Sequence, residues 1–184
     1  MNDPFRPLET ARLRLRCVAA EDAAATAAMM TPEISRWLAF WPVPFTHDMA
    51  VARIAAARER AQAGDALPFA AVGKAGGALL GWVMLYRHSA DRRRGSFGYW
   101  LGAAHHGKGY VREAAPAVLA AGFDLPGLDV IEAAAQPDNA ASFAVMRACG
   151  MQPAGEKMVY APARRRDELC RFYEIRRSCV ELRP

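Results

Sequence analysis

The fold of this chain is decided by residues 96–135, which read SFGYWLGAAHHGKGYVREAAPAVLAAGFDLPGLDVIEAAA. The stretch begins with a strand-like run at 96–101, passes through a glycine-bearing loop into a helical pattern over about 110–124, and ends in a strand-like run at 129–135. Two strands joined through a helix run parallel, whereas a short turn makes an antiparallel pair. Residues 96–135 therefore predict a parallel step with a helix packed against the sheet.

The segments on either side predict antiparallel strands. Leu13 and Leu15 alternate with arginines in RLRLRC, as expected for a half-buried strand, and short turns join the three runs that follow it. Seven strands are predicted, at 12–17, 69–73, 79–86, 96–101, 129–135, about 154–161 and about 169–177. The expected architecture is a single domain over residues 1–184 of the α/β class, with helices flanking the sheet. This mixed sheet is mostly antiparallel, with its parallel step between the fourth and fifth strands.

The helical segments have recognisable ends. Helices are predicted at about 21–30, 46–63, 110–124 and 140–149, with one more helical turn at about 33–38. Thr46 is a typical N-cap and Gly64 a typical stop. The segment RWLAFWPVPF at 36–45 cannot be a regular helix, because its prolines break the backbone hydrogen-bond ladder. Its four aromatic side chains either fill the core or line a pocket.

The composition indicates an ordinary soluble protein. The chain is 53% apolar and 23% charged, and no apolar run approaches the roughly 18–20 residues that span a bilayer. The first residues lack the apolar region of a signal peptide, so we expect a cytoplasmic protein with no membrane partner. None of the four cysteines, Cys17, Cys149, Cys170 and Cys179, belongs to a C-x-x-C pair, which favours inert thiols over a disulfide framework or a zinc site.

The net charge of +5 favours anionic partners. The positive residues are dispersed except for Arg92–Arg94 and Arg164–Arg166, two runs predicted in turns, where arginines are usually solvated. No aromatic residues are interleaved with them in the manner of RNA-binding modules. Nucleic acid is therefore an unlikely partner, and an anionic cofactor explains the charge equally well.

The loop at 103–112 admits several chemical interpretations. His105 and His106 are adjacent and point different ways, with no third ligand close in sequence, so a metal site is not expected. A dinucleotide G-x-G-x-x-G motif fails, because Arg112 stands where the third glycine belongs. The first N–H groups of the following helix, with two glycines beside them, could still hold a phosphate. The alternative is a glycine-rich turn that simply starts a helix.

Two motifs resemble those of the GNAT superfamily of acetyl-CoA-dependent N-acetyltransferases, and most of all its ribosomal-protein N-terminal (RimJ/RimL-type) branch. They are GYWLGAAHHGKGYVREA at 98–114 and QPDNAASFAVMRACGM at 136–151. The resemblance covers nearly the whole chain and implies the GNAT-like, acyl-CoA N-acyltransferase fold. The family's Q/R-x-x-G-x-G/A motif falls on His106, Gly107, Lys108, Gly109, Tyr110 and Val111. His106 and Val111 depart from the usual residues, but backbone N–H groups from 107 to Arg112 are implied to seat the coenzyme A pyrophosphate.

The second motif implies further site residues. The branch's N-x-x-S falls on Asn139 and Ser142. By resemblance, Asn139 hydrogen-bonds the pantetheine arm, and Ser142 faces the sulfur and donates a proton to the departing thiolate. A backbone N–H near Leu101 is implied to polarise the thioester carbonyl, with no metal required. From the residues alone, Asn139 is equally a helix N-cap.

The fraction of an amine that is neutral indicates which class of acceptor is favoured. The family reaction is a direct attack by a neutral primary amine on the thioester. An α-amine with a pKa of about 7.7–8.0 is roughly a quarter neutral near pH 7.4, whereas a lysine near 10.4 is about a thousandth neutral. No carboxylate is assigned as a base, which favours a protein or peptide N-terminal α-amine.

Other functions stay open. The chain could acetylate a small-molecule amine, or serve as a non-catalytic acyl-CoA-binding module or, less plausibly, a nucleic-acid-binding protein. By resemblance, the segment at 37–45 and the last hairpin flank the acceptor cleft. An exposed sheet edge would permit a homodimer.

Overall fold

In the computed structural model, which describes residues 5–180 and the side chains of 5–178, eight strands form one sheet. They are β1 (Leu8–Glu9), β2 (Leu13–Cys17), β3 (Ala66–Gly73), β4 (Leu79–Arg87), β5 (Arg94–Leu101), β6 (Val130–Ala135), β7 (Gln152–Ala161) and β8 (Arg166–Arg176). Their order is β1-β2-β3-β4-β5-β6-β8-β7. Every neighbouring pair is antiparallel except β5 and β6, which are parallel. The predicted mixed α/β sheet is confirmed.

The strand β1 is a short addition to the predicted sheet. It pairs with β2 through Leu8 opposite Leu15, and two residues are too few to show a strand pattern. Because β1 precedes the seven predicted strands, the parallel pair expected between the fourth and fifth strands is β5–β6 in the complete numbering.

The helices lie close to their predicted positions. They are α1 (Ala23–Met29), α2 (Pro32–Ser35), α3 (His47–Gln62), α4 (Tyr110–Phe123), α5 (Ala140–Ala148) and α6 (Arg177–Val180), with short 3-10 turns at 20–22 and 103–105. The Thr46 hydroxyl accepts the Met49 N–H at 3.2 Å and caps α3. Gly64, just beyond α3, has φ +73°, a conformation that glycine adopts without strain.

The sheet has a core on each face. On one face α4 places residues spaced three and four apart against the sheet, where Val118 and Leu119 join a cluster with Leu85 and Ile131. On the other face α1 and α3 cover a cluster built around tryptophans. There the Trp41 ring centroid lies 5.3 Å from that of Trp82 and 5.2 Å from that of Trp100. Part of the aromatic segment is therefore core.

Two sequence-based expectations concern thiols and membranes. Cys17 and Cys149 are buried, Cys170 is partly buried, and the Cys179 side chain lies outside the described residues. Burial raises the pKa of Cys17 and of Cys170, which disfavours their reactive thiolates.

Within residues 5–180, none of the helices combines the length and the apolar character needed to cross a bilayer.

The close approach of β4 and β5 is testable at Gly81. Its φ is +154°, and a Cβ there would lie 2.2 Å from the Trp100 carbonyl oxygen and 2.6 Å from the Leu101 Cα, both backbone atoms that cannot yield. We expect Gly81→Ala to lower the free energy of unfolding by about 3 kcal/mol, measured by urea denaturation. Gly98→Ala on β5, where a Cβ meets nothing within 4 Å, is the control and should change stability little. Equal stability of the two variants would contradict the close approach.

Candidate active site

A cavity of about 460 Å³, called here the first cavity, opens between the end of β5 and the starts of α4 and α5. Nine of the ten predicted site residues line it: Leu101, His106, Gly107, Gly109, Tyr110, Val111, Arg112, Asn139 and Ser142. Lys108 is the exception, since it is exposed and does not belong to the lining. The two motifs, separated by some thirty residues of sequence, thus meet on one wall.

The loop before α4 presents backbone donors to this cavity. Gly107 and Gly109 have φ of +72° and +77°, in the left-handed region that favours glycine. The first N–H to reach a helical acceptor is that of Glu113, which donates to Gly109 O at 3.0 Å. The N–H groups of residues 110–112 therefore have no acceptor within α4, and together with the helix dipole they make a positive site. The exposed Arg112 side chain adds a full positive charge.

An ion pair with Arg12, in the turn between β1 and β2, holds the loop in place. The Glu113 carboxylate accepts hydrogen bonds from the Thr10 hydroxyl at 2.5 Å, the Arg12 N–H at 2.7 Å and the Arg12 Nε at 2.6 Å. The Arg12 guanidinium also donates to the Lys108 carbonyl oxygen at 2.9 Å and lies 4.6 Å from the Tyr110 ring centroid. Burial alone would raise the pKa of Glu113, but these hydrogen bonds together outweigh it and hold that pKa below its ordinary value.

The two histidines belong to the loop between β5 and α4. His106 Nε2 lies 2.9 Å from the Leu101 carbonyl oxygen, which ties the loop to the end of β5. Burial, with the nearby Lys108 and His106, lowers the pKa of His105. Across residues 5–180, no group of three or more His, Cys, Asp or Glu side chains could hold a metal ion.

Backbone N–H groups also face the gap between β5 and β6. The two strands pair only from Arg94 to Ser96 and then separate. Gly102 N–H donates to Leu80 O at 2.9 Å, so by the alternation of an antiparallel ladder Leu101, opposite Gly81, turns its N–H away from β4 and toward the gap. An N–H in this position is suited to a carbonyl oxygen that gains negative charge.

Asn139 caps a helix and lines the first cavity. Its Oδ1 accepts the Ser142 N–H at 3.1 Å and caps α5. The cap does not use the amide nitrogen of Asn139, which is a hydrogen-bond donor. The same cap fixes the first turn of α5 and thereby the position of Ser142.

A second cavity of about 1020 Å³ lies on the other side of the gap. It is lined by the aromatic segment, including Trp37, Phe40 and Trp41, and by β4–β6 and the β7–β8 hairpin. Three residues, Trp37, Leu38 and Tyr99, line both cavities. The two cavities therefore meet at these side chains. Tyr99 lies outside the motif positions assigned from the sequence.

The carboxylates of the second cavity are neutralised by arginines. Glu168 accepts hydrogen bonds from Arg164 at 2.6 and 2.7 Å, and mainly this contact lowers its pKa to about 2. Glu132 lies 2.9 Å from the Arg94 guanidinium. Arg164 also donates to the Ser35 and Leu38 carbonyl oxygens. The expectation of a solvated turn is therefore wrong for Arg164, because it anchors the hairpin to α2.

Comparisons with known proteins identify the family and agree with the fold. The family model described as an acetyltransferase (GNAT) domain matches residues 12–152. An uncharacterised N-acetyltransferase of Bacillus licheniformis, p20, is 30% identical over 162 residues, which are 86% of this chain and 89% of the relative. Mycobacterium smegmatis RimJ in complex with CoA-disulfide is similar in structure, with a TM-score of 0.83 at 22% identity, over 100% of this chain and 93% of that one. The ribosomal-protein-S5-alanine acetyltransferase of Vibrio fischeri has a TM-score of 0.79 at 23% identity, over 97% and 100%.

The carboxylate that holds the loop makes a pH-dependent prediction. The pKa of Glu113 is lower in the folded chain than in the unfolded one, so its contribution is complete above the unfolded value of about 4.3 and is lost as the pH falls through the folded value. We expect Glu113→Gln to lower the free energy of unfolding by about 1 kcal/mol at pH 7, a modest value because the Arg12 side chain is half exposed.

Urea denaturation between pH 7 and about pH 3 measures this effect. The difference between wild type and variant should be constant above about pH 5 and should shrink below about pH 4. Glu156→Gln is the control, since its ion pair with Arg171 is half exposed on both sides and should contribute little. A difference that persists unchanged at low pH would contradict the role of the ionised carboxylate.

Proposed function

Because the chain belongs to the GNAT family of acetyltransferases, as the match over residues 12–152 shows, we propose that it transfers the acetyl group of acetyl-CoA to the N-terminal α-amine of a protein or peptide. The observation that carries this proposal is the meeting of nine motif residues on one cavity, at the point where β5 leaves β6. The cofactor enters from the first cavity and the acceptor from the second.

The first cavity fits coenzyme A in shape and charge. Its glycines leave open space, since a Cβ on Gly107 would meet nothing within 4 Å, and the free N–H groups at the start of α4 suit a pyrophosphate. Arg112 adds a positive charge, the Asn139 amide suits the pantetheine arm, and the Leu101 N–H suits the thioester oxygen. Mycobacterium smegmatis RimJ, with the same fold, is a complex with CoA-disulfide.

Direct attack by the amine requires no acyl-enzyme. In this proposal the neutral amine nitrogen bonds to the thioester carbonyl carbon, the Leu101 N–H stabilises charge on the carbonyl oxygen, and the Ser142 hydroxyl supplies a proton to sulfur. Ser142 is held for this task by the cap from Asn139.

The second cavity favours an α-amine over a lysine. A carboxylate with a pKa of about 2, such as Glu168, is a poor proton acceptor, and Glu132 is occupied by Arg94. An acceptor that is already partly neutral is therefore better matched to this cavity. A volume of about 1020 Å³ also exceeds the needs of a small amine. The Vibrio fischeri protein, with the same fold, is named as acting on an alanine of a ribosomal protein.

A peptide panel tests the acceptor. We expect release of free CoA thiol from acetyl-CoA with peptides that have a free N-terminus. Peptides blocked at the N-terminus that contain lysine should react about a hundredfold or more slowly at pH 7.4, because far less of the lysine amine is neutral. Small primary amines and diamines complete the panel.

Faster reaction with a diamine or a blocked lysine peptide would overturn the α-amine assignment and favour a small-amine or lysine acetyltransferase. Binding of acetyl-CoA without thiol release from any acceptor would instead indicate a non-catalytic acyl-CoA-binding module.

A matched pair of glycine variants tests the cofactor site. Gly107 and Gly127 both have φ +72° and open space for a Cβ, but only Gly107 lines the first cavity. Acetyl-CoA at a hundred times its Kd should raise the melting temperature of the wild type by roughly 5–10 °C. Gly107→Glu places an anion at the pyrophosphate position and should abolish this shift. Gly127→Glu carries the same backbone strain and should keep it, so an equal shift in both variants would disprove the assignment.

A further inference from the structure

Tyr99 lies where the two cavities meet. It is on β5 between Phe97 and Leu101, three residues past Ser96, the last residue of β5 that pairs with β6, and it lines both cavities. The other two residues shared by the cavities, Trp37 and Leu38, carry no hydroxyl. Tyr99 therefore places the one hydroxyl of this junction between an acceptor in the second cavity and a thioester in the first.

The Tyr99 hydroxyl oxygen is buried and has no hydrogen-bond partner among the described residues. The other buried polar side-chain atoms in this condition are Thr31 Oγ1, Arg53 Nε, Arg87 Nε and Trp100 Nε1, and none of them is a hydroxyl at the junction. An unpaired buried hydroxyl costs stability that a phenylalanine would avoid. The hydrogen-bond partners of the Tyr99 hydroxyl would then be the molecules that bind in the two cavities.

Ser142 and Tyr99 both line the first cavity. Burial raises the pKa of Tyr99 to about 12, and the Ser142 hydroxyl, on α5, is close enough to offset part of that effect. The two oxygens do not form a hydrogen bond in this state, as is common for catalytic groups before substrate binds. At neutral pH the phenol stays protonated, so it can accept one proton while it gives up another.

We propose, on the premise of the acetyltransferase function above, that the Tyr99 and Ser142 hydroxyls form a relay that carries the amine proton to the departing sulfur. Tyr99 is thus a second catalytic residue, which contacts the amine, and Ser142 contacts the sulfur.

The transfer balances without an external base. The C–N bond forms between the amine and the acetyl carbon, the C–S bond breaks, and its electron pair goes to sulfur. The amine nitrogen gives a proton to the Tyr99 oxygen, Tyr99 gives its own proton to Ser142, and Ser142 gives its own to sulfur. Each hydroxyl ends with one proton, and the products are the amide and the CoA thiol. The relay explains how a cavity whose carboxylates are paired with arginines can still remove the amine proton.

Three variants test the relay with the acceptor that the peptide panel identifies. Tyr99→Phe and Ser142→Ala should each lower kcat by about a hundredfold, with the KM for acetyl-CoA within about twofold of wild type. The double variant should be about as slow as either single variant, since a relay broken once is already lost. Tyr99→Phe should melt at or above the wild-type temperature and keep the acetyl-CoA-induced shift, because it removes only an unpaired hydroxyl.

Tyr173→Phe is the matched control. Tyr173 is half buried, packs on Phe143 of α5 with a centroid distance of 5.6 Å and lines neither cavity, so kcat should stay near wild type. The relay is overturned by a kcat for Tyr99→Phe within about threefold of wild type, by loss of its acetyl-CoA-induced shift, or by a double variant near ten-thousandfold slower. A wild type that releases no thiol with any acceptor overturns the proposed function and the relay together. Turnover that survives in Tyr99→Phe overturns the relay alone.

Discussion

The rest of the structure depends on the short pairing of β5 with β6. The two strands share hydrogen-bond partners for three residues, from Arg94 to Ser96, and then separate. A fully paired sheet would consume every backbone donor along β5 and would close the space between the strands. Because pairing stops, the end of β5 keeps donors that face outward, and cavities on both sides of the sheet come into contact. The opening between β5 and β6 is therefore set by where their backbone pairing ends.

Charged and neutral side chains lie in different places around this opening. In the Arg164–Glu168 and Arg94–Glu132 pairs, arginines bind carboxylates away from the junction. Neither of these carboxylates is therefore left unpaired. The residues that line both cavities are neutral: two aromatic side chains, one of which carries a hydroxyl, and a leucine. A neutral junction suits a reaction in which a neutral amine and a neutral thioester give a neutral amide and a thiol, because no permanent charge has to be desolvated.

Sequence patterns could predict most of the fold and of the first cavity. Strand alternation, the Thr46 cap and the glycine stops are local signals, and seven strands and the main helices follow from them with ends a few residues out. The motif positions meet because the helical connection between parallel strands brings the starts of α4 and α5 to the same end of the sheet. Contacts between distant residues had no such signal. Arg12 and Glu113 are 101 residues apart, and nothing in an alternating strand says which arginine will pair with a carboxylate on a later helix. Tyr99 lies in a strand pattern that is typical of core residues. The sequence alone does not show that its hydroxyl oxygen is buried without a hydrogen-bond partner.

The contact from Arg12 to the Lys108 carbonyl has a consequence for affinity. A loop with two left-handed glycines has many conformations in the unfolded chain, and fixing them is an entropic cost that some step must bear. Here Arg12, the residue before β2, holds the loop, so the conformational freedom is lost when the chain folds. An anion that arrives later meets donors already in place, and more of its interaction energy appears as binding. The stability of the fold and the affinity of the site are therefore linked through Arg12.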